Sequence, residues 1–176
     1  AEEPIRIRLF ERGIKLFPFA FTTFRRGLVR AGGNFPPSVA RFLYKHFTEE
    51  IKEQEKITIY DPSAGYGGRL FAALSLGDDR KVHYIGTDPN PDHYIDDIGT
   101  SRYEYMEKYF HSEVRLPNTT TTEIYQLGSE VIGKEKSFKA HKGKIDFIFT
   151  SPPYFAAEGY SEDENQSFKK FPQYEL

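Results

Sequence analysis

The spacing of apolar and polar residues changes period several times along the chain, and each change marks an element. Lys56–Tyr60 (KITIY) is short and rich in β-branched residues, the pattern of a strand. Val82–Thr87 (VHYIGT), Thr121–Leu127 and Ile145–Thr150 (IDFIFT) read the same way. Arg69–Leu74 resumes a helical pattern after the first strand, and 91–111 is expected to be mostly helical with a break at Gly99. Upstream, Phe35-Pro36-Pro37-Ser38 opens a helix expected to run to about Glu50, since proline fits a first turn where its missing N–H would have no partner anyway. Residues 4–30 read as helical pieces broken near Pro18. Strands alternating with helices imply an α/β fold with a mostly parallel sheet and right-handed crossovers. Ligands in such sheets sit beyond the carboxyl ends of the strands. Four candidate motifs of this chain, one after each strand, fall at such ends.

The first strand runs into Asp61-Pro62-Ser63-Ala64-Gly65-Tyr66-Gly67-Gly68 and then a helix. A strand, a glycine turn and a helix form the nucleotide-binding device of doubly wound folds, because glycine lets backbone approach a ligand and adopt positive φ. Alone, the turn equally suits a plain strand–helix connection. It is not GxGxxG, since Leu70 stands three residues after Gly67, and no Gly-Lys-Ser/Thr follows to make a phosphate loop. The second strand ends at Asp88, where an acid can accept both hydroxyls of a ribose. Its other reading is a turn residue before Pro89-Asn90-Pro91. The fourth strand ends in Ser151-Pro152-Pro153-Tyr154. Two prolines remove two N–H donors and fix two φ angles, leaving carbonyls and a serine hydroxyl as acceptors beside an aromatic ring. Such a corner can grip an amino group on a planar ring while the tyrosine stacks on it. It can also be a rigid turn leaving a buried strand.

Composition narrows the classes. No stretch approaches the ~20 apolar residues of a membrane span and no signal-peptide pattern opens the chain, so a cytoplasmic protein is expected. Without cysteine, and with five histidines at no HExxH-type spacing, no metal site is expected. Residues 1–46 hold nine Lys or Arg against three acids, interleaved with Phe10, Phe17, Phe19, Phe21 and Phe24. That segment could follow a phosphate backbone, or pack its Phe side inward and solvate its arginines.

DPSAGYGG, then TDPNP, then TSPPYF, in that order, resembles the amino-methylating (cytosine-N4 or adenine-N6) DNA methyltransferases of bacteria and phages. The resemblance covers roughly residues 34–155 and implies a Rossmann-like core that binds S-adenosylmethionine. It implies Asp61, Pro62, Gly65 and Gly67 around the methionine part of the cofactor, Asp88 on the ribose, and Ser151, Pro152, Pro153 and Tyr154 as the catalytic corner. Ser129, in Leu127-Gly128-Ser129, resembles the adenine-contacting loop after the third strand, and Phe35 and Pro36 the helix start that meets the methionine carboxylate. The implied partner is double-stranded DNA with the target base flipped out, as in restriction-modification. Serine at the first corner position leans towards cytosine.

The implied organisation is a basic, aromatic-rich helical segment over 1–33, the cofactor-binding core over 34–155 and the start of a target-side loop over 156–176. The family's seven-stranded sheet and recognition region need more chain than follows Tyr154. The expectation is therefore a core truncated after its fourth strand, self-associating or missing its C-terminal half, and inactive alone. Rival readings are an RNA guanine-amino methyltransferase, a protein glutamine methyltransferase (whose corner usually reads Asn-Pro-Pro-Tyr) and a non-catalytic nucleic-acid-binding module.

Overall fold

A computed structural model describes residues 33–52, 55–77, 80–95, 99–112, 119–152 and Glu164. The basic segment 1–32, including Arg25, Arg26 and Arg30, and the loop after the corner lie outside the described residues, apart from Glu164. In chain order the elements are α1 (Pro37–Phe47), β1 (Ile57–Asp61), α2 (Gly68–Leu76), β2 (Val82–Thr87), β3 (Tyr94–Ile95), β4 (Thr100–Ser101), α3 (Arg102–Ser112), β5 (Thr121–Tyr125), α4 (Lys136–Lys139) and β6 (Phe147–Ile148). Single 3₁₀ turns stand at Pro91–His93 and Ile132–Lys134.

The main sheet has the order β5-β2-β1-β6, and all three of its pairings are parallel. The protein is thus α/β with a mostly parallel sheet, as the alternation of periods predicts. β1 and β2 are buried along their whole length, as central strands covered on both faces must be. One face packs Ile57, Ile59, Val82 and Tyr84 against Ala40 and Tyr44 of α1, Leu70, Ala73 and Leu74 of α2, and Tyr103 and Phe110 of α3. The other packs Tyr60 and Ile85 against Ile132, Phe138 and Ile145. After β5 the chain crosses to the far side of β1 to form β6, so strand order reverses at β1. In sheets of this kind the crevice at the reversal is where ligands bind.

The elements differ from the sequence expectation in bounds and in one segment. β5 ends at Tyr125, where the chain turns so that Leu127 N donates to the Tyr125 carbonyl at 2.9 Å. β6 pairs only at Phe147 and Ile148, although Asp146 N and Phe149 N also donate to Thr58 and Tyr60 carbonyls of β1. Of the mostly helical stretch expected over 91–111, the break at Gly99 is present and the part before it is corrected. Tyr94 pairs antiparallel with Ser101 and Ile95 with Thr100, and α3 begins only at Arg102. Pro91 biases Asn90 away from helical backbone, and Gly99 turns the chain at φ +62°.

A buried ion pair joins the layers. Asp61, fully buried at the end of β1, accepts from Arg69 Nε at 2.7 Å and from the Tyr84 hydroxyl at 2.6 Å on one oxygen, and from Ser63 N at 3.1 Å on the other. Arg69 also donates to the Ser63 carbonyl. Burial, then the Asp61 charge beside it, pushes the Tyr84 hydroxyl well above its ordinary pKa, so it remains a donor. Removing one member strands a buried charge. Arg69→Met should therefore lower unfolding free energy by about 3–5 kcal/mol in urea titrations, and adding Asp61→Asn should recover part of that loss. A surface-like cost below ~1 kcal/mol would show that the pair is not the joint of the fold.

Candidate functional site

The glycine turn folds as it does because its backbone needs conformations that side chains resist. Gly65 has φ +56°, and Gly67, at φ +82°, caps the start of α2 in left-handed geometry. Ala64 N donates to the Thr87 carbonyl at 2.9 Å, and Thr87 Oγ1 donates back to the Pro62 carbonyl at 2.9 Å. These bonds tie the ends of β1 and β2 together. Gly65 N then donates to Asp88 Oδ2 at 2.8 Å. Four of the residues expected at the cofactor, Asp61, Pro62, Gly65 and Asp88, therefore form one bonded unit, and Gly67 starts the helix that leaves it.

Their roles within that unit differ. The carboxylate of Asp61 is spent on Arg69, Tyr84 and Ser63, so it shapes the turn and has no exposed surface to offer a ligand. Asp88 is poised differently. It accepts from Gly65 N on one oxygen and from Asn90 N at 2.9 Å on the other, and its side chain is 12% exposed. A carboxylate has about four acceptor positions. Asp88 thus keeps acceptor capacity for a vicinal diol.

Residues the sequence reading did not single out close one side. His93 Nε2 lies 3.5 Å from Asp88 Oδ1, buried and without a hydrogen-bond partner. Its ring meets Tyr103 at 5.0 Å and Tyr66 at 5.8 Å, and the Tyr103 hydroxyl donates to the Gly65 carbonyl. A cavity of about 280 Å³ opens here, lined among others by Asp88, Asn90, His93, Tyr103, Glu104 and Gln126. Pro91 opens the single 3₁₀ turn Pro91–His93, which folds residue 93 back towards Asp88.

The segment before α1 lies against the turn from the other side. Asn34 Oδ1 accepts from Gly68 N at 3.0 Å, and the Phe35 ring packs 5.8 Å from the Arg69 guanidinium and edge-on to Phe149 at 5.2 Å. Phe149 is two residues before Ser151. Phe35 therefore links the glycine turn to the approach of the proline corner, while Pro36 is exposed as the residue capping α1. Ser151 is half-buried and Pro152 exposed, and the preceding Thr150 hydroxyl is buried without a hydrogen-bond partner. Pro153 and Tyr154 lie outside the described residues. Ser129 stands exposed in the turn after β5 and does not line the cavity, where Gln126 stands instead.

No family model, curated protein or solved structure matches the chain. Among the described residues no helix is long and apolar enough to cross a membrane.

The fit of Asn34 and Phe35 against α2 leaves no room for a side chain at Gly68. A Cβ there would stand 2.3 Å from Asn34 Oδ1 and 2.4 Å from the Phe35 carbonyl, whereas one at Gly33 meets nothing within 4 Å. Gly68→Ala should cost about 1–3 kcal/mol of stability by overpacking, and Gly33→Ala should change it by less than about 0.5 kcal/mol. Equal thermal midpoints for the two variants would mean that residues 34–36 are not seated on the turn.

Proposed function

We propose that the chain is the S-adenosylmethionine-binding core of a methyltransferase that modifies an exocyclic amino nitrogen of a nucleic-acid base, with DNA as the substrate. One observation carries the reading. The order β5-β2-β1-β6 sets the glycine turn of β1 between the acid that ends β2 and Ser151-Pro152, the start of the corner, which follows β6. These are the three motifs whose sequence order resembles the amino-methylating family, and the reversal of strand order between β1 and β6 supplies the crevice they would share.

The cofactor supplies an electrophilic methyl group; the chain binds and orients. Asp88 accepts from the ribose hydroxyls while it holds Gly65 in place. The backbone at Gly65 leaves an approach without a Cβ for the methionine part, while Gly67 packs against Met106 and Tyr103 of α3 and holds the turn in place. Phe35 fixes the approach to the corner through Phe149. At the corner, the Ser151 hydroxyl and the Pro152 carbonyl accept the two hydrogens of the target amine. An amine conjugated to its ring is a weak nucleophile, and acceptors on both hydrogens favour the pyramidal nitrogen that can react. The ring of Tyr154 stacks on the extruded base, a contact worth about 1–3 kcal/mol.

Isothermal titration of S-adenosylmethionine into the chain tests the first half of this reading. Asp88→Ala should weaken binding by about 10–100-fold through lost hydrogen bonds to an ionised acceptor. Because Asp88 also holds the Gly65 and Asn90 amides, circular dichroism must show the variant folded. Unchanged affinity in a folded variant removes Asp88 from the site. Labelled cofactor offered with DNA, tRNA and protein, followed by mass spectrometry of the product, tests the second half. Label found only in RNA or protein would replace DNA as the substrate.

A further inference from the structure

The register of the sheet assembles a second constellation away from the glycine turn. His83 lies opposite Thr121, and Ile85 opposite Glu123, in the pairing of β2 with β5. Side chains repeat every two residues along a strand, so His83, Thr121 and Glu123 project from one face. His141, in the turn after α4, folds onto that face. His83 Nε2 is 3.4 Å from Glu123 Oε1, and His141 Nε2 is 3.2 Å from Glu123 Oε2. One ligand atom from each residue lies within 4.8 Å of the other two, and the imidazole centroids are 5.2 Å apart.

His83 marks this group as more than a packed cluster. It is only 7% exposed, its Nδ1 is 2.8 Å from Thr121 Oγ1, and its Nε2 has no hydrogen-bond partner. In the tautomer with Nδ1 donating to the threonine, Nε2 presents its lone pair 3.4 Å from a carboxylate oxygen, the arrangement that a cation between the two would satisfy. The supporting bonds are already in place. Thr121 fixes the His83 ring, and the Tyr125 hydroxyl, itself 2.9 Å from Ser137 Oγ, donates to Glu123 Oε2 at 2.7 Å. Metal-binding histidines and carboxylates are oriented by partners of this kind.

We infer that His83, Glu123 and His141 form a site for a divalent transition metal, with zinc the best fit. Zinc–nitrogen and zinc–oxygen bonds of about 2.0–2.2 Å in a tetrahedron set ligand atoms about 3.3 Å apart; His83 Nε2 and His141 Nε2 stand 3.4 and 3.2 Å from one or other Glu123 oxygen, and one atom from each residue lies within 4.8 Å of the others, so a small inward shift of the side chains closes the set on a metal. Two imidazoles and one carboxylate suit zinc and its neighbours, whereas magnesium and calcium require oxygen donors. Three protein ligands leave one position for water. His83 stands five residues before Asp88, about 16 Å along an extended strand, so the metal site is separate from the cofactor site and does not rest on the proposed function.

Zinc titration of the full chain by calorimetry, with cobalt(II) absorption as a readout of coordination, tests the site. One equivalent of zinc should bind and raise the thermal midpoint, and cobalt should give the intense visible bands of a low-coordinate nitrogen–oxygen site. Glu123→Gln and His141→Gln should each weaken zinc binding at least about tenfold and bleach those bands. Thr121→Val should weaken it about tenfold by freeing the His83 ring. His111→Gln, in the His111–Glu107 pair on α3, should change nothing. No zinc binding by the folded chain, or a loss in His111→Gln equal to that in the other two, would overturn the inference.

Discussion

The carboxylate of Asp61 is the point on which the rest of this structure turns. An ionised group with no exposure to water is costly unless several donors meet it, and here three do, from three elements. Arg69 brings α2, Tyr84 brings β2, and Ser63 N brings the turn between β1 and α2. Each donor is thereby fixed in position as well as satisfied. Since Arg69 is the second residue of α2, its bond to the last residue of β1 sets how tightly the chain reverses between them, and only glycine backbone makes that reversal comfortably. The ion pair and the glycine turn are one device, seen from the side chains and from the backbone.

Asp88 repeats the arrangement one strand over with a different outcome. It too accepts backbone amides at a strand end, yet it retains some exposure and unused acceptor positions. The contrast separates an acid wholly spent within the fold from one with acceptor positions to spare, on physical grounds. Asp61 has every partner a carboxylate needs within the protein; Asp88 is held still by two amides while part of it faces outward. The ring contacts of His93, Tyr66 and Tyr103 keep one wall of the crevice in place around it.

How much of this was legible in the sequence follows from how local each signal is. β1 and β2 were legible because buried parallel strands are short apolar runs bounded by turn residues, and the glycine turn because positive φ is written as glycine. The strand-end acids were legible because they follow directly from strand ends. The segment from 94 to 101 departs from the mostly helical reading because Tyr94–Ile95 pairs with Thr100–Ser101 around Gly99, a ribbon of two residues a side that is too short to show as an alternating pattern. The difference between Asp61 and Asp88 was not legible, because it depends on Arg69, Tyr84 and Asn90 arriving from elsewhere in the chain. Ser129 fits its motif by sequence yet lies in an exposed turn, since β5 ends two residues earlier than its apolar pattern suggests.

The two constellations show why one kind of site can be read from sequence and the other cannot. A site at the carboxyl ends of strands collects residues that each follow a strand, so every member sits beside its own local signal. A site on the face of the sheet collects residues through pairing register. His83 and Glu123 are neighbours only because His83 stands opposite Thr121, and a shift of one residue would turn Glu123 to the other face. His141 joins them because Phe138 and Ile145 pack on Tyr60 and Ile85 and carry the turn between them onto the strands. Ligand spacings of forty and eighteen residues match no short motif, so the lack of an HExxH pattern in a chain of this class carries little weight against a metal site. Burial of His83 with one nitrogen satisfied and the other bare is the physical sign that the sequence could not display.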